Sequence, residues 1–389
     1  MKVGSDSNPV LRGNWPDGLL SALTPILELL ADERVTEIEA NGYDDIWVKG
    51  SGWRGHRRAA GVRWNDRADF EIACIRISDV IGRALSKRTP ILNARLPGGE
   101  RVNIAIAPAC DRIAMTIRKF PAETMTFDIL ERKGSADRPV RALCEGLVVT
   151  RQSILVAGGT GAGKTSLLNA LSRLIPPHER VVTIEDAREL QIQQPNWVAM
   201  ETVEPYEQGA VPVTIGDLVR NALRQAPDRI IVGEVRGEEA FYLLRALSTG
   251  HGGGFGTIHA NNGDDALHQL QLLAQMAPIA GLSAQVVAAM VGRAVDVVIY
   301  QRHFEEENVR RIAEVIELAH PGVRFGPGGE IAYETRRLAI WDSDAHKWSF
   351  PEEPSATLLR ALAAKGVGWP PDGGEFVEPT EIEGNAVAW

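Results

Sequence analysis

Apolar residues recur at helical spacing from Leu19 to Leu30, and the following VTEIEANGYDDIWVKG alternates as two strands around Asn41-Gly42, a hairpin signal. ADFEIACIRISDVIGRAL predicts an amphipathic helix, ARLPGGERVNIAIAPA a strand, a Gly-Gly turn and a second strand, and RIAMTIRKF one more strand. Residues 1–122 are therefore expected to form a mixed α+β domain. PAETMTFDILERKGSADRPV is polar and broken by Pro and Gly, which predicts an interdomain linker over 123–140.

From about Arg141 the pattern changes. SILVAG, VVTIED, RIIVGE, FGTIHA and VDVVIYQ are apolar throughout, as suits strands covered on both faces. The segments between them, TSLLNALSRLI, IGDLVRNALRQ, EEAFYLLRALSTG and DALHQLQLLAQM, are spaced as helices. Residues 141–318 are thus expected to be an α/β domain with a mostly parallel sheet. Beyond Leu318, HPGVRFGPGGEIAYETRRLAIWDSDAHKWSF offers two or three strands. A Pro- and Glu-rich tail with Trp369 and Trp389 follows, so residues 319–389 read as a C-terminal extension, partly disordered or folding on a partner.

With 389 residues the chain exceeds one ordinary core, in line with two domains. Its formal charge of -9 supplies no global positive field, so no stable nucleic-acid binding is expected. Cys74, Cys110 and Cys144 are too scattered for a disulfide framework or a CxxC-type zinc site, and a reducing cytoplasm fits them. MKVGSDSNPV has no apolar signal core, and LLSALTPILELLA is too short to span a bilayer and carries Glu28. The expectation is a cytoplasmic chain that meets a membrane only peripherally.

GGTGAGKTS, Gly158, Gly159, Thr160, Gly161, Ala162, Gly163, Lys164, Thr165 and Ser166, fits G-x-x-x-x-G-K-[ST] between an apolar strand and an amphipathic helix. Loop amides and a helix N-terminus there can bind phosphates, with Lys164 reaching the β- and γ-phosphates of ATP and Thr165 holding Mg²⁺. Two acidic strand ends follow, Glu185-Asp186 and Glu234, and neighbouring parallel strands bring such ends to the phosphate-loop edge. One carboxylate can orient water and another the hydrated metal, Glu234 acting through a metal-bound water beside Gly233. In STGHGGGFGTIHANN, His251 and His259 match no zinc spacing. His259 reads as a strand-end donor to the γ-phosphate and His251 as a loop histidine. Arg95, Arg101 and Arg118 lie on strands of the first domain and are candidates for neutralising transition-state charge.

The order GGTGAGKT, TIEDAREL, IIVGEVRG and STGHGGGFGTIHAN resembles the type II/type IV secretion and pilus traffic ATPases. Their signatures are a Walker A loop, an Asp box, a Walker B strand ending in Gly-Glu and a His box. LPGGERVNI, TIRKF and VTEIEANGYDDIWV extend the likeness, which covers about residues 30 to 318. It implies a RecA-like ATPase domain, a PAS-like N-terminal α+β domain, and a homohexameric ring with nucleotide between the two domains. It further implies Glu185 as the water-activating carboxylate, Glu234 as the Walker B residue near Mg²⁺ and His259 as a γ-phosphate sensor. Arg118, with Arg95 and Arg101, would neutralise charge, and the partners would be inner-membrane platform or channel proteins. The three scattered cysteines cannot build the tetracysteine element of the long family members, so the chain resembles the conjugative-transfer and tight-adherence pilus branches more. A RecA-like nucleic-acid translocase and a non-hydrolysing nucleotide-binding scaffold are the alternatives.

Overall fold

A computed structural model describes residues 14–50, 52–119, 124–203, 211–248, 250 and 252–371. The expected domain boundary at 122–123, His251 and the tail from 372 onward, Trp389 included, lie outside these residues. The described residues fall into two compact units, one within Met1–Glu123 and the other within Thr124–Glu204 and Val211–Trp389.

The first unit is α+β. Pro25 has no N–H to continue a helix, so the run expected as one helix divides into α1 (Asp17–Ala22), a 3-10 turn (Thr24–Ile26) and α2 (Leu27–Ala31). Strands β1 (Val35–Ala40), β2 (Ile46–Gly50) and β3 (Arg57–Arg58) precede α3 (Arg67–Ile81), which Asp66 caps by accepting from the Asp69 amide. Strands β4 (Ile91–Arg95), β5 (Arg101–Ala105) and β6 (Ala114–Arg118) complete an antiparallel sheet of order β3-β2-β1-β6-β5-β4. The β1–β2 connection is a five-residue loop, Asn41 to Asp45, because Ala40 pairs with Ile46; the Tyr43 carbonyl inside it accepts from the Trp64 amide. One sheet face packs Ile38, Ile104 and Ile117 against Leu19, Phe70 and Ile77.

In the second unit, the stretch expected as a linker folds instead as α4 (Phe127–Arg132) and α5 (Arg138–Val149). Thr126 and Asp137 cap them, and Phe127, Leu130, Ala136 and Val140 are buried in the unit's core. The Pro and Gly that read as linker punctuation are terminus signals: Pro139 stands in the first turn of α5, and Gly134, at φ 68°, follows α4.

The order continues through β7 (Ile154–Ala157), α6 (Lys164–Ser172), β8 (Val181–Glu185), β9 (Trp197–Glu201), α7 (Ile215–Ala222) and β10 (Arg229–Val235). Then come α8 (Glu239–Ser248), β11 (Phe255–Ile258), α9 (Gly263–Gln275), α10 (Ala284–Ala294), β12 (Val297–Phe304), β13 (Val309–Phe325), β14 (Ile331–Asp342), β15 (Lys347–Ser349) and α11 (Ala356–Ala364). The sheet order is β15-β14-β13-β12-β7-β11-β10-β8-β9. From β12 to β9 every pairing is parallel, whereas β13, β14 and β15 add an antiparallel wing.

The described part of 319–371 is therefore integral to the main sheet. Trp348, Phe350, Leu358 and Leu362 enter the core beside Leu143 and Leu147. The sequence pattern changes at Leu318, within β13, where the register with β14 shifts between Leu318 and Val323.

At the strand starts, fully buried Arg229 forks onto Glu179 and donates to the carbonyls of Val148 and Gly253. Arg151 adds a second contact to Glu179 at 3.1 Å. This knot fixes the glycine segment from which β11 departs toward His259.

Candidate nucleotide site

The parallel strands point β7, β8, β10 and β11 at one edge, and the chemistry collects there. Ala157 ends β7 and the chain turns through Gly158 (φ 156°), Gly161 (φ 73°) and Gly163 (φ 95°), the last forming the N-cap of α6. Gly159 to Gly161 form an exposed tip, which the Ala162 amide tightens by donating to the Gly159 carbonyl at 3.2 Å. Thr165 and Ser166 occupy the first turn of α6, where free amides and the helix dipole favour an anion.

The buried Lys164 ammonium donates to the carbonyls of Gly158 (3.0 Å) and Gly159 (3.1 Å) and lies 3.2 Å from His259 Nδ1. His259 Nε2 is 2.7 Å from Glu234 Oε1. A neutral ring that accepts at Nδ1 from the ammonium and donates at Nε2 to the carboxylate satisfies both contacts. Burial and then the Lys164 charge hold the His259 pKa below its ordinary value, which keeps the ring neutral. Burial also lowers the Lys164 pKa; Glu234 opposes this and Arg236 adds to it. Arg236 pairs with the other oxygen of Glu234 and stands 3.8 Å from Asp186. The structure thus joins Lys164, Glu234 and His259 into one chain of contacts.

A bulge aims Glu234. Val232 pairs with Gly256 and Val235 with Ile258, so β10 spends one residue more than β11 over Gly233-Glu234. Thr257 Oγ1 donates to the Gly233 carbonyl at 2.6 Å and anchors the bulge. Gly233 also makes room for its neighbour: a Cβ there would lie 2.8 Å from Glu185 Cγ. Gly233→Ala is expected to destabilise the unit by about 1–3 kcal/mol through overpacking. Thermal melting would show this as a fall of several degrees, and an unchanged melting temperature would refute the close fit.

Glu185 is buried, and its Oε1 accepts from the amides of Glu189 (2.7 Å) and Leu190 (2.9 Å). Glu189 Oε2 lies 3.4 Å from Thr165 Oγ1. Sequence reasoning passed over Glu189, although TIEDAREL places it four residues beyond Glu185. Thr165 and this carboxylate are hard oxygen donors of the kind Mg²⁺ takes alongside retained waters. Among the described residues no group of three or more His, Cys, Asp or Glu side chains could hold a metal ion by itself.

In the first unit, Arg95 pairs with Arg101 across β4 and β5, and Arg101 with Arg118 across β5 and β6. The three arginines form one row on the sheet face opposite the core. Arg118 also reaches Glu37 at 3.3 Å.

Residues 20–316 match the family described as Type II/IV secretion system protein. The type IV secretion system protein PtlH of Bordetella pertussis is 36% identical over 323 residues, covering 76% of this chain and 93% of its own. A putative conjugal transfer protein of Mycobacterium tuberculosis is 34% identical over 301 residues, with 75% and 84% covered. Among solved structures, the ATPase DotB of Yersinia pseudotuberculosis aligns over 91% of this chain and 87% of its own at 16% identity, with a TM-score of 0.54. That likeness speaks to the fold.

Proposed function

The chain belongs to the type II/IV secretion system protein family, and from that premise we propose that it is a RecA-like ATPase motor of a secretion, conjugation or pilus system. The observation that carries the reading is the run of contacts from Lys164 through His259 to Glu234, which links the start of α6 to the ends of β11 and β10 at the mouth of the phosphate loop. Gly158 to Ser166 bind the triphosphate through main-chain amides and the N-terminus of α6. Lys164 leaves the Gly158 and Gly159 carbonyls to neutralise the β- and γ-phosphates. Mg²⁺ at Thr165, with Glu234 acting through water, would supply electrostatic stabilisation of the transferring phosphoryl group. His259, held by Glu234, is placed to respond to the γ-phosphate.

Two carboxylates of TIEDAREL are candidates for orienting the attacking water. Glu185, the expectation from sequence, already accepts two amide hydrogen bonds, whereas Glu189 stands beside Thr165. We assign the water to Glu189 and the shape of its loop to Glu185. Glu189→Gln is expected to slow hydrolysis by about 10²-fold or more while ATP still binds, and Glu185→Gln to lower the melting temperature first. Phosphate-release assays and thermal melts of both variants decide this, and the reverse pattern would return the role to Glu185.

We assign Arg95, Arg101 and Arg118 of the first unit a charge-neutralising role toward the nucleotide of a neighbouring subunit in a homohexameric ring, on the resemblance of the motifs that carry them. We read that unit as PAS-like on the resemblance of its motifs. Among the described residues no helix is long and apolar enough to cross a membrane. We place the chain in the cytoplasm, working against membrane-bound platform or channel proteins.

A further inference from the structure

The phosphate loop has a second side, formed by the strands that leave the parallel sheet. β12 pairs with β7 as far as Tyr300 opposite Ala157, and a register shift in its pairing with β13 follows between Tyr300 and Gln301. Gln301 therefore arrives beside the loop just as Ala157 gives way to Gly158. A Cβ on Gly158 would stand 2.3 Å from the Gln301 carbonyl oxygen, and one on Gly163 would stand 3.2 Å from Gln301 Nε2. From β13, Arg310 Nε donates to the Gly161 carbonyl at 2.7 Å, and Arg310 Cδ would lie 3.1 Å from the same Gly163 Cβ.

Gly158, Gly161 and Gly163 are the loop's three positions of positive φ. Each is touched by this arm; a side chain at Gly158 would collide with the Gln301 carbonyl, and one at Gly163 would press on Arg310 and Gln301. The glycines thus serve the approach of β12 and β13 as well as the turn itself.

We propose that Arg310 and Gln301 are positioning residues that hold the phosphate loop in its nucleotide-binding shape from the wing side. The inference rests on the reading of Gly158 to Ser166 as the triphosphate site. Arg310 grips the outer end of the 161–162 peptide, and the inner end, the Ala162 amide, closes on the Gly159 carbonyl. That carbonyl also receives Lys164. Because a trans peptide is a rigid plane, fixing its carbonyl fixes the direction of its N–H, so the hold of Arg310 extends to the turn that closes on Gly159. Gln301 is 1% exposed, and its Oε1 has no hydrogen-bond partner among the described residues. A buried acceptor of this kind is costly to keep for packing alone, and the amide that carries it lies with its Nε2 against Gly163.

The test is equilibrium binding of fluorescent ADP and ATP to the purified full chain, with kcat and KM from phosphate release and a thermal melt without nucleotide. Arg310→Ala is expected to weaken ADP and ATP alike by about tenfold and to raise KM to match, the effect of losing one charge-assisted hydrogen bond. Its kcat should stay within about twofold, and its nucleotide-free melting temperature should fall by no more than the few degrees that one hydrogen bond accounts for. Gln301→Met, which keeps the volume and removes the acceptor, should also weaken binding without lowering that melting temperature. Wild-type affinity in both variants would overturn the proposal, as would a fall in kcat at unchanged KM. A wild-type chain that binds neither nucleotide would overturn the phosphate-loop reading itself; intact wild-type binding with indifferent variants would overturn this assignment alone.

Discussion

Glu234→Gln is expected to leave ATP binding close to wild type while slowing hydrolysis by about 10²- to 10³-fold, the usual cost of removing a charge that acts in the transition state. The variant keeps the shape of the strand end and loses the anion. That anion is shared by His259 Nε2 at 2.7 Å and by Arg236. It is also the group that opposes the lowering of the Lys164 pKa by burial. Without it the ammonium releases its proton more readily, so ATP affinity in the variant should begin to fall at a lower pH than in the wild type. Nucleotide titrations across alkaline pH, run beside phosphate release, separate the two effects. A variant with wild-type turnover would remove Glu234 from the chemistry.

Lys164→Ala should abolish measurable turnover, a loss of at least about 10²-fold, and weaken nucleotide binding as well. The lysine joins the loop carbonyls of Gly158 and Gly159 to the His259–Glu234 pair. Its removal deletes a buried cation at the phosphates and unties both partners together. Equal phosphate release by variant and wild type would place catalysis elsewhere in the chain.

How far the site could be read from sequence depends on the kind of signal each residue carries. The strand ends were legible because SILVAG, VVTIED, RIIVGE and FGTIHA are apolar runs, and parallel pairing necessarily sets their ends side by side. The Gly233 bulge was not legible, since a glycine in a strand can signal a bulge or only a close neighbour, and here it is both. Glu189 lay within TIEDAREL, but its approach to Thr165 depends on the fold of that loop, and Gln301 and Arg310 belong to no pattern that spacing reveals, because their roles depend on a register shift. The stretch expected as a linker over 123–140 holds helix for the opposite reason. Charged residues, Pro and Gly dominate there, while Phe127, Leu130, Ala136 and Val140 occupy the core.

In the proposed mechanism one site binds ATP through the loop and cleaves it through the facing carboxylates, as separable steps. The most direct measurement is the identity of the nucleotide that stays with Glu234→Gln after incubation with Mg²⁺ and ATP and rapid desalting. Retention of intact ATP, under conditions in which wild type yields ADP and phosphate, is the predicted result. Stoichiometric ADP on the variant, formed at the wild-type rate, would contradict it.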